Sequence, residues 1–580
     1  MRVYQPSQRL SQPSPALRMT SGRVRFVLAG LGLLFAALIG RAIYLQVVQQ
    51  GFLLNQGDAR FRRAMVLEAN RGLITDRNGE PLAISTPVQT IWACPAEMEP
   101  VPPAKLRTLA HLLELSPEEL ASKLGDNKRE FVYLKRQVSP QLADQVMALG
   151  IGGIAKQQEF RRFYPAGDIF SHIIGFTGVD GKGQEGVELA REKMLAGNNG
   201  RRVVIRDQRG HIIEDVGPLV PPRDGQTLML AVDQRIQYLA SRELAAAVTA
   251  NKAKAGSVVV LDAHSGELLA LANYPTYNPN NRQGTTPEML RNRAVIDMFE
   301  PGSTMKPLSI SLPMQEGKAS LKTVLDTHPY SIGPAKIHDV ADSDHLDIEG
   351  IIKKSSNVGA SKLALMVPPK DFWSYLDALG FGRSPETGFP GETAGRLRDW
   401  KSWRPIEQAT MSFGYGLSVS LLQMARAYSI FTNHGVMMPV SLYKTTSPLP
   451  GKRIVSAETA DQMRDVLIAN SQPGGGAVGG RVIGYSIGGK SGTARKLEGN
   501  SYVADKHRAL FIGFAPGKAP KMIVAVMIDE PSAGKYYGGA VAAPVFSNVV
   551  GGALRILNVQ PDEPLNNSLL PTTTPIPADF

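Results

Sequence analysis

At 580 residues the chain exceeds what one hydrophobic core organises, and its length fits roughly two to four globular units. A composition 43% hydrophobic and 20% charged excludes a disordered chain, and a single cysteine, Cys94, excludes an internal disulfide, a thiolate metal cluster and a CxxC redox pair. The net charge of +12 would suit nucleic acid, an anionic membrane or an acidic polymer, but the basic residues form no long run and no aromatic interleaving. A solvated basic surface is therefore expected, and a nucleic-acid partner is not.

Residues 1–25 carry Arg2, Arg9, Arg18, Arg23 and Arg25 and no acid, and FVLAGLGLLFAALIG (Phe26–Gly40) follows without a charge. Beyond Arg41 the chain stays apolar to Val48. The uninterrupted run is shorter than the roughly 20 residues that cross a bilayer, whereas 26–48 reaches that length if Arg41 snorkels or faces a partner helix. A cleaved signal peptide is the competing reading, but no A-x-A pattern follows. The expectation is an uncleaved transmembrane anchor over 26–48 with a cytoplasmic basic segment, 1–25, before it.

In the region 55–220, RGLITDRNGEPLAIS (Arg71–Ser85) places apolar residues on both sides of a turn at Arg77–Glu80. Helical patterns follow in PAKLRTLAHLLEL and in SPEELASKL, the latter opening on a Ser-Pro-Glu-Glu start signal. The glycines at 175, 178, 181, 183 and 186 match no phosphate-loop pattern and predict a turn-rich structural segment. This region reads as mixed α+β without an evident active site.

After the linker VGPLVPPRDGQ (Val216–Gln226), the region 225–558 begins with a predicted strand TLMLAV and a helix DQRIQYLASRELAAAVTANKA. AGSVVVLDAHSGELLALAN reads as a hairpin turning at His264–Gly266. The Pro- and Thr-rich tail, 559–580, has little to bury and is expected to be disordered.

Three short elements stand in order within 225–558: Ser303-Thr304-Met305-Lys306, Ser355-Ser356-Asn357 and Lys490-Ser491-Gly492-Thr493. Chance alone supplies on the order of one or two Ser-x-x-Lys pairs in such a chain, and Ser532-Ala-Gly-Lys535 is another. The joint occurrence of the three is what carries weight. After the Pro301-Gly302 turn, Ser303 would open a helix whose dipole favours a developing anion. Lys306 would share its face.

A lysine takes a proton only when neutral, which requires burial and a second cation. Lys490 is the candidate cation. Ser355 and Asn357 would relay a proton and orient the lysine. Ser491 and Thr493 would hold a substrate carboxylate, and the backbone N–H groups of Ser303 and Thr493 would form an oxyanion hole.

A rival reading comes from Gly484–Ser491, which matches the phosphate-binding pattern GxxxxGK[ST], followed by the apolar MIVAVMIDE (Met522–Glu530). That pattern requires its lysine to open a helix, and GTARKLEGNSY has no amphipathic period. Acyl transfer is the favoured chemistry.

SxxK, SxN and K[ST]G in this order resemble the penicillin-binding protein and serine β-lactamase superfamily. RGLITDRNG, RFYPAG (Arg162–Gly167), GQEGVE, RNRAVIDMFEPGST, FGYGLSVS (Phe413–Ser420) and the stretch Asp529–Phe546 extend the likeness to class B penicillin-binding proteins, from the anchor to about residue 558. KSGTARK and the modest length resemble the division-specific branch more than the elongation branch. A bifunctional class A enzyme is disfavoured by the lack of an EDxxFxxHxG-type segment. A free β-lactamase is disfavoured by the anchor, the long pedestal and the lack of an ExxLN element.

The resemblance implies a multi-domain α+β architecture: the transmembrane helix, an elongated pedestal of the penicillin-binding protein dimerisation type, and a transpeptidase domain built as an antiparallel sheet flanked by helices. It implies D,D-transpeptidation of peptidoglycan stem peptides ending in D-Ala-D-Ala, with β-lactams as covalent inhibitors. Ser303 would be the nucleophile and Lys306 its base, Ser355 would pass the proton to the leaving amine and Asn357 would contact the peptide amide. Lys490, Ser491, Gly492 and Thr493 would form the strand that binds the terminal carboxylate. Tyr415, Tyr536 and Tyr537 are candidates for an aromatic wall, and His507 stands where the family tends to carry an aromatic residue. No metal and no cofactor are expected. The implied partners are a polytopic glycan polymerase and other division proteins, at the septum of the bacterial inner membrane with the catalytic domain periplasmic. The alternative from another class is a division scaffold with a secondary catalytic role.

Overall fold

The computed structural model describes residues 21–51, 62–206, 212–215, 219–499 and 501–563. The apolar run folds as helix α1 (Ser21–Ile43), none of whose residues is buried. With the π-helical continuation to Val48 it is 28 residues long and contains an 18-residue stretch of mean hydropathy 2.2. At 1.5 Å per residue such a helix covers about 42 Å, more than the hydrocarbon thickness of a bilayer. It has the length and composition of a single-pass membrane anchor. The guanidinium of Arg41 lies 5.4 Å from the centre of the Tyr44 ring. The segment 1–20 lies outside the described residues.

The next region is built on strands β1 (Arg62–Leu67), β2 (Ile74–Thr75), β3 (Pro81–Ala93), β4 (Val132–Val138), β5 (Ile154–Phe163), β6 (Gly200–Arg206), β7 (Ile212–Asp215) and β8 (Leu228–Met229). β3 pairs with β2 at its start and with β4 and β5 on its two sides further on, and β1, β6 and β7 form a separate antiparallel sheet. The turn expected at Arg77–Glu80 does join β2 to β3. Helices α2 (Pro103–Leu112), α3 (Pro117–Leu124) and α4 (Pro140–Ala148) cover β3 and β4 through Ile91, Leu109, Leu113, Leu120, Leu134 and Val146. Ser116 and Ser139 cap α3 and α4 by accepting the N–H of Glu119 and Leu142, each with proline in the first turn.

Three of the quoted motifs meet at one buried ion cluster. Glu188 of GQEGVE, with 0% exposure, accepts Arg71 Nε from RGLITDRNG at 2.6 Å and Arg162 Nε from RFYPAG at 2.6 Å. Arg71 also reaches Glu192 at 2.7 Å, and Arg162 Nη2 donates to Gly72 O at 2.8 Å. The turn-rich glycine segment thus serves a structural junction. Contacts onward to the following domain come from Arg191, whose Nε donates to Tyr443 OH at 2.6 Å, and from Asn280, which brackets the Tyr164 backbone at 3.0 and 2.8 Å.

The following domain is a five-stranded antiparallel sheet in the order β10-β9-β13-β12-β11, from β9 (Ala255–Asp262), β10 (Leu268–Tyr274), β11 (Gly488–Glu498), β12 (Ser501–Ala515) and β13 (Met522–Asp529). The predicted hairpin is β9–β10. The predicted strand TLMLAV is shorter than expected: only Leu228–Met229 pairs, parallel to β2, and Leu230 bridges to Tyr443. It joins the two domains instead of extending the central sheet.

β9 and β13 are buried along nearly their whole length because both faces of the sheet are covered. Helix α5 (Gln234–Ala250) and, near the C-terminus, Ala543–Ile556 pack on Val258, Val260, Phe511 and Val526. Helix α6 (Lys306–Gln315) packs with Met305 on the opposite set, Val259, Ile512 and Ala525. The tail departs from expectation at its start. Tyr485 OH donates to Val559 O at 2.7 Å and Ser486 N donates to Asp562 Oδ1 at 2.7 Å, so residues 559–562 are held by specific bonds. Residues 564–580 lie outside the described set.

Removing Glu188 leaves two buried guanidinium groups without their shared anion, a loss of about 3–5 kcal/mol. Glu188→Ala should therefore lower the thermal unfolding midpoint of the detergent-solubilised chain by several degrees, read by differential scanning calorimetry.

Candidate active site

The residues Pro301 and Gly302 lead into a single 3₁₀ turn, Gly302–Met305, which continues directly as α6. Ser303 therefore lies one turn before Lys306 on the same side. Lys306 is fully buried, and its Nζ lies 3.1 Å from Ser303 Oγ, 3.1 Å from Ser355 Oγ, and against the Ser355 carbonyl oxygen. Burial, then the neighbouring Lys490 ammonium, holds the Lys306 amine well below the ordinary lysine range, with Asp339 acting in the opposite direction.

Ser355 lies in neither a helix nor a strand. It joins two helices, Ile348–Lys353 and α7 (Asn357–Leu365), in a left-handed conformation with φ of 56°. That conformation turns both its carbonyl and its hydroxyl toward Lys306. Ser356 caps α7 by accepting the Gly359 N–H at 2.8 Å. Asn357 Nδ2 donates to His338 O at 3.3 Å.

Lys490 reaches the same place from the sheet. It pairs with Ile512, which pairs with Ala525, which pairs with Val259. Ile512, Ala525 and Val259 all face α6, so the twofold alternation of a strand places Lys490 in an apolar row. Burial brings its amine down to about 7. Its Nζ donates to Ser491 O at 3.0 Å.

Ser491 and Thr493 alternate to the other face. Ser491 Oγ donates to Gly476 O at 2.9 Å, while Thr493 Oγ1 accepts the Gly538 N–H at 3.0 Å and keeps its own proton available. Gly492 permits the approach of the strand to the serine turn: a Cβ there would lie 2.9 Å from Thr304 Cγ2 and 3.2 Å from Thr304 N. The decoy pair is elsewhere. Ser532 Oγ donates to Lys252 O at 2.7 Å and does not line this cavity.

The cavity of about 410 Å³ is lined by Ser303, Ser355, Asn357 and the 490–493 strand. Its rims are aromatic. Tyr415 meets Tyr502 edge to face at 5.7 Å, while Tyr536 stacks on His507 at 4.2 Å and on Tyr537 at 4.5 Å. The three predicted tyrosines all line the cavity but form two groups, not one wall.

Residues 256–551 match the penicillin binding protein transpeptidase domain, and residues 66–230 match the penicillin-binding protein dimerisation domain. The chain is 47% identical over 573 residues to a probable peptidoglycan D,D-transpeptidase PenA of Neisseria meningitidis, covering 98% of this chain and 99% of the relative. It is 40% identical over 567 residues to the peptidoglycan D,D-transpeptidase FtsI of Escherichia coli, covering 97% and 96%. A probable peptidoglycan D,D-transpeptidase PbpC of Pseudomonas aeruginosa is 41% identical over 544 residues, covering 93% and 94%.

This chain belongs to the penicillin-binding protein transpeptidase family.

Within this penicillin-binding protein several groups that build the site lie outside the three motifs. Asp339 accepts the N–H of Asn357 at 2.5 Å and of Val358 at 2.9 Å and takes the Ser356 hydroxyl, fixing the start of α7. Asn470 donates to Gly489 O at 2.8 Å and accepts the Gly476 N–H at 3.0 Å, tying the lysine strand to the loop that receives Ser491. Arg495, Tyr502 and His338 also line the cavity. Asp339 lies in HDVADSD, which contains no periodic or spaced signal. Arg495 is the exception, since strand alternation from Thr493 would have placed it on the same face.

The left-handed backbone at Ser355 carries a strain that a Cβ creates and a glycine lacks. Ser355→Gly should therefore exceed Ser355→Ala in unfolding free energy by about 1 kcal/mol, reversing the usual order of these residues. Both variants lose the hydroxyl, so thermal melts of the pair isolate the backbone effect.

Proposed function

We propose that this membrane-anchored penicillin-binding protein is a serine-type peptidoglycan D,D-transpeptidase that crosslinks stem peptides in septal wall synthesis and is acylated by β-lactams at the same serine. The observation that carries the reading is the buried Lys306 amine between the Ser303 and Ser355 hydroxyls. A neutral amine has one lone pair and two N–H groups, and its three contacts use them all. The lone pair accepts the Ser303 proton, and the N–H groups donate to Ser355 Oγ and O.

In this reading Ser303 Oγ attacks the carbonyl carbon of the D-Ala-D-Ala bond while its proton passes to Lys306 Nζ. The N–H groups of Ser303 and Thr493 receive the oxyanion. The proton then moves from Lys306 through Ser355 to the departing amine as the C–N bond breaks, and D-alanine leaves an ester on Ser303. The amine of a neighbouring stem attacks that ester, and its proton returns by the same path. Among the described residues the Asn357 side chain bonds to His338 O through its Nδ2, which leaves its Oδ1 for the stem-peptide N–H. The Lys490 ammonium and the free Thr493 hydroxyl proton suit the terminal carboxylate, with Ser491 and the Gly492 approach completing the strand. Tyr415, Tyr536 and Tyr537 supply the aromatic faces for the stem.

The septal assignment rests on the likeness to the relatives named FtsI. The basic residues before α1 support a cytoplasmic N-terminus and a catalytic domain on the periplasmic side of the inner membrane. The unburied α1 suits a polytopic glycan polymerase or another division protein as neighbour in the bilayer. A pure scaffold has no use for a buried lysine held below its ordinary titration range, which favours the enzyme.

Ser303→Ala should abolish covalent labelling of the full chain by a fluorescent penicillin, and peptide mapping of the wild-type adduct should find it on Ser303. Label on Ser532 would reject the assignment.

The pH dependence follows from the two lysines. Lys306 acts when neutral, so acylation falls as pH drops below its lowered pKa. Lys490 acts when charged, so in the free enzyme acylation also falls as pH rises through about 7. The second-order acylation constant should therefore be bell-shaped. Lys490→Arg, which stays charged, should remove the alkaline limb and leave the acid one, whereas Lys490→Ala should slow acylation across the range.

A further inference from the structure

Glu300 immediately precedes the serine turn and is half-buried beside it. Its Oε1 accepts two hydrogen bonds, from Gly416 N at 2.8 Å and from the Tyr502 hydroxyl at 3.1 Å. Its Oε2 is enclosed and has no hydrogen-bond partner among the described residues. Burial pushes the carboxyl above the usual range, while the Gly416 N–H, the Tyr502 hydroxyl and Arg508 pull it down. An enclosed acceptor without a donor costs about 1–3 kcal/mol, which an apolar side chain would avoid. A carboxyl kept at such a cost next to a nucleophile calls for a functional account.

The two donors come from separate pieces of the cavity wall. Gly416 belongs to the turn that carries Tyr415, and that turn is pressed onto the serine turn. Gly302 N donates to Gly414 O at 3.2 Å, and a Cβ on Gly414 would lie 2.2 Å from Gly302 O. Tyr502 opens β12 and is 46% exposed, so little packing fixes its ring. What holds it is the edge-to-face contact with Tyr415 and the hydroxyl bond to Glu300. Tyr415 and Tyr502 line the cavity and Glu300 does not. These two rings therefore connect Glu300 to the cavity.

We propose that Glu300 is a positioning residue of the acyl-transfer site, whose carboxyl fastens the Tyr502 strand and the Tyr415 turn to the serine turn. The two rings then hold the stem peptide, or a β-lactam side chain, at a fixed height above Ser303. One acceptor oxygen sets both donors, so the rim and the nucleophile keep a common frame. The inference rests on the transpeptidase reading above.

The test is stopped-flow acylation of the detergent-solubilised full chain by a fluorescent penicillin, resolving the dissociation constant of the initial complex from the acylation rate constant. Glu300→Ala should weaken the initial complex about tenfold, the equivalent of one lost hydrogen bond, with the acylation step changed by less than about threefold. Tyr502→Phe should weaken it similarly, and the double variant should be no weaker than the worse single, because both remove the same link. Glu300→Gln, whose amide oxygen can take the place of Oε1, should stay within about threefold of the wild type.

Unchanged initial binding in Tyr502→Phe and Glu300→Ala, or losses that multiply in the double variant, would overturn the proposal. Should Glu300→Ala fail to fold, Tyr502→Phe and Glu300→Gln decide it alone, since neither opens a cavity. A wild type that is not labelled on Ser303 would remove the transpeptidase reading itself. A labelled wild type with indifferent variants would remove only this inference.

Discussion

An amine that must be buried yet uncharged is the constraint around which the catalytic domain is arranged. A lysine in water gives up its proton only near pH 10, and Lys306 is brought far below that by enclosure and by a second lysine from the sheet. Each neighbouring element meets one requirement of that amine. The 3₁₀ turn sets the Ser303 hydroxyl one turn away. The left-handed Ser355 presents a carbonyl and a hydroxyl together to the amine. The register of β11 with β12 puts Lys490 in the row of Ile512 and Ala525, where apolar side chains deny it water. An isolated buried ammonium would be prohibitive in such a row. A lysine whose pKa burial has lowered to about 7 is tolerable there.

Close approach of backbones is the second condition, and glycine supplies it. Thr304 can touch the β11 strand only because residue 492 has no Cβ, and the serine turn meets the 414–416 turn only because residue 414 has none. These contacts bring three stretches, separated by some 50 to 190 positions, within hydrogen-bonding range of one cavity. The pedestal repeats the strategy with charge. Glu188 gathers Arg71 and Arg162, so three motifs far apart in the chain hold one junction.

What was legible in the sequence follows from how local each signal is. Ser116-Pro117 announces a helix start because cap and proline act within a few residues. Ser303 and Lys306 were legible as a pair because one turn of helix sets their distance. Asp339 and the Glu300 link to Tyr502 were not, since each depends on tertiary placement of a common residue type. The strand TLMLAV had the right composition, but its neighbours in space cut it to two residues. Val559 and Asp562 looked like the start of a solvated tail because their partners, Tyr485 and Ser486, lie more than 70 positions away.

The formal phosphate-loop match shows why a pattern needs its physical cause. In a nucleotide-binding loop the glycines expose backbone N–H groups to phosphate, and the lysine opens a helix. Here the same letters answer to aromatic packing. A Cβ on Gly488 would lie 2.3 Å from the Phe514 ring, and one on Gly489 would lie 2.9 Å from the Phe511 ring. Phe514 and Phe511 belong to β12, paired with Gly488 and Ser491 of the same sheet. The glycines therefore make room for rings beneath an edge strand, and the strand carries Lys490 to Lys306 instead of to a phosphate. The identical spacing is satisfied by two unrelated demands, and only the direction of the lysine tells them apart.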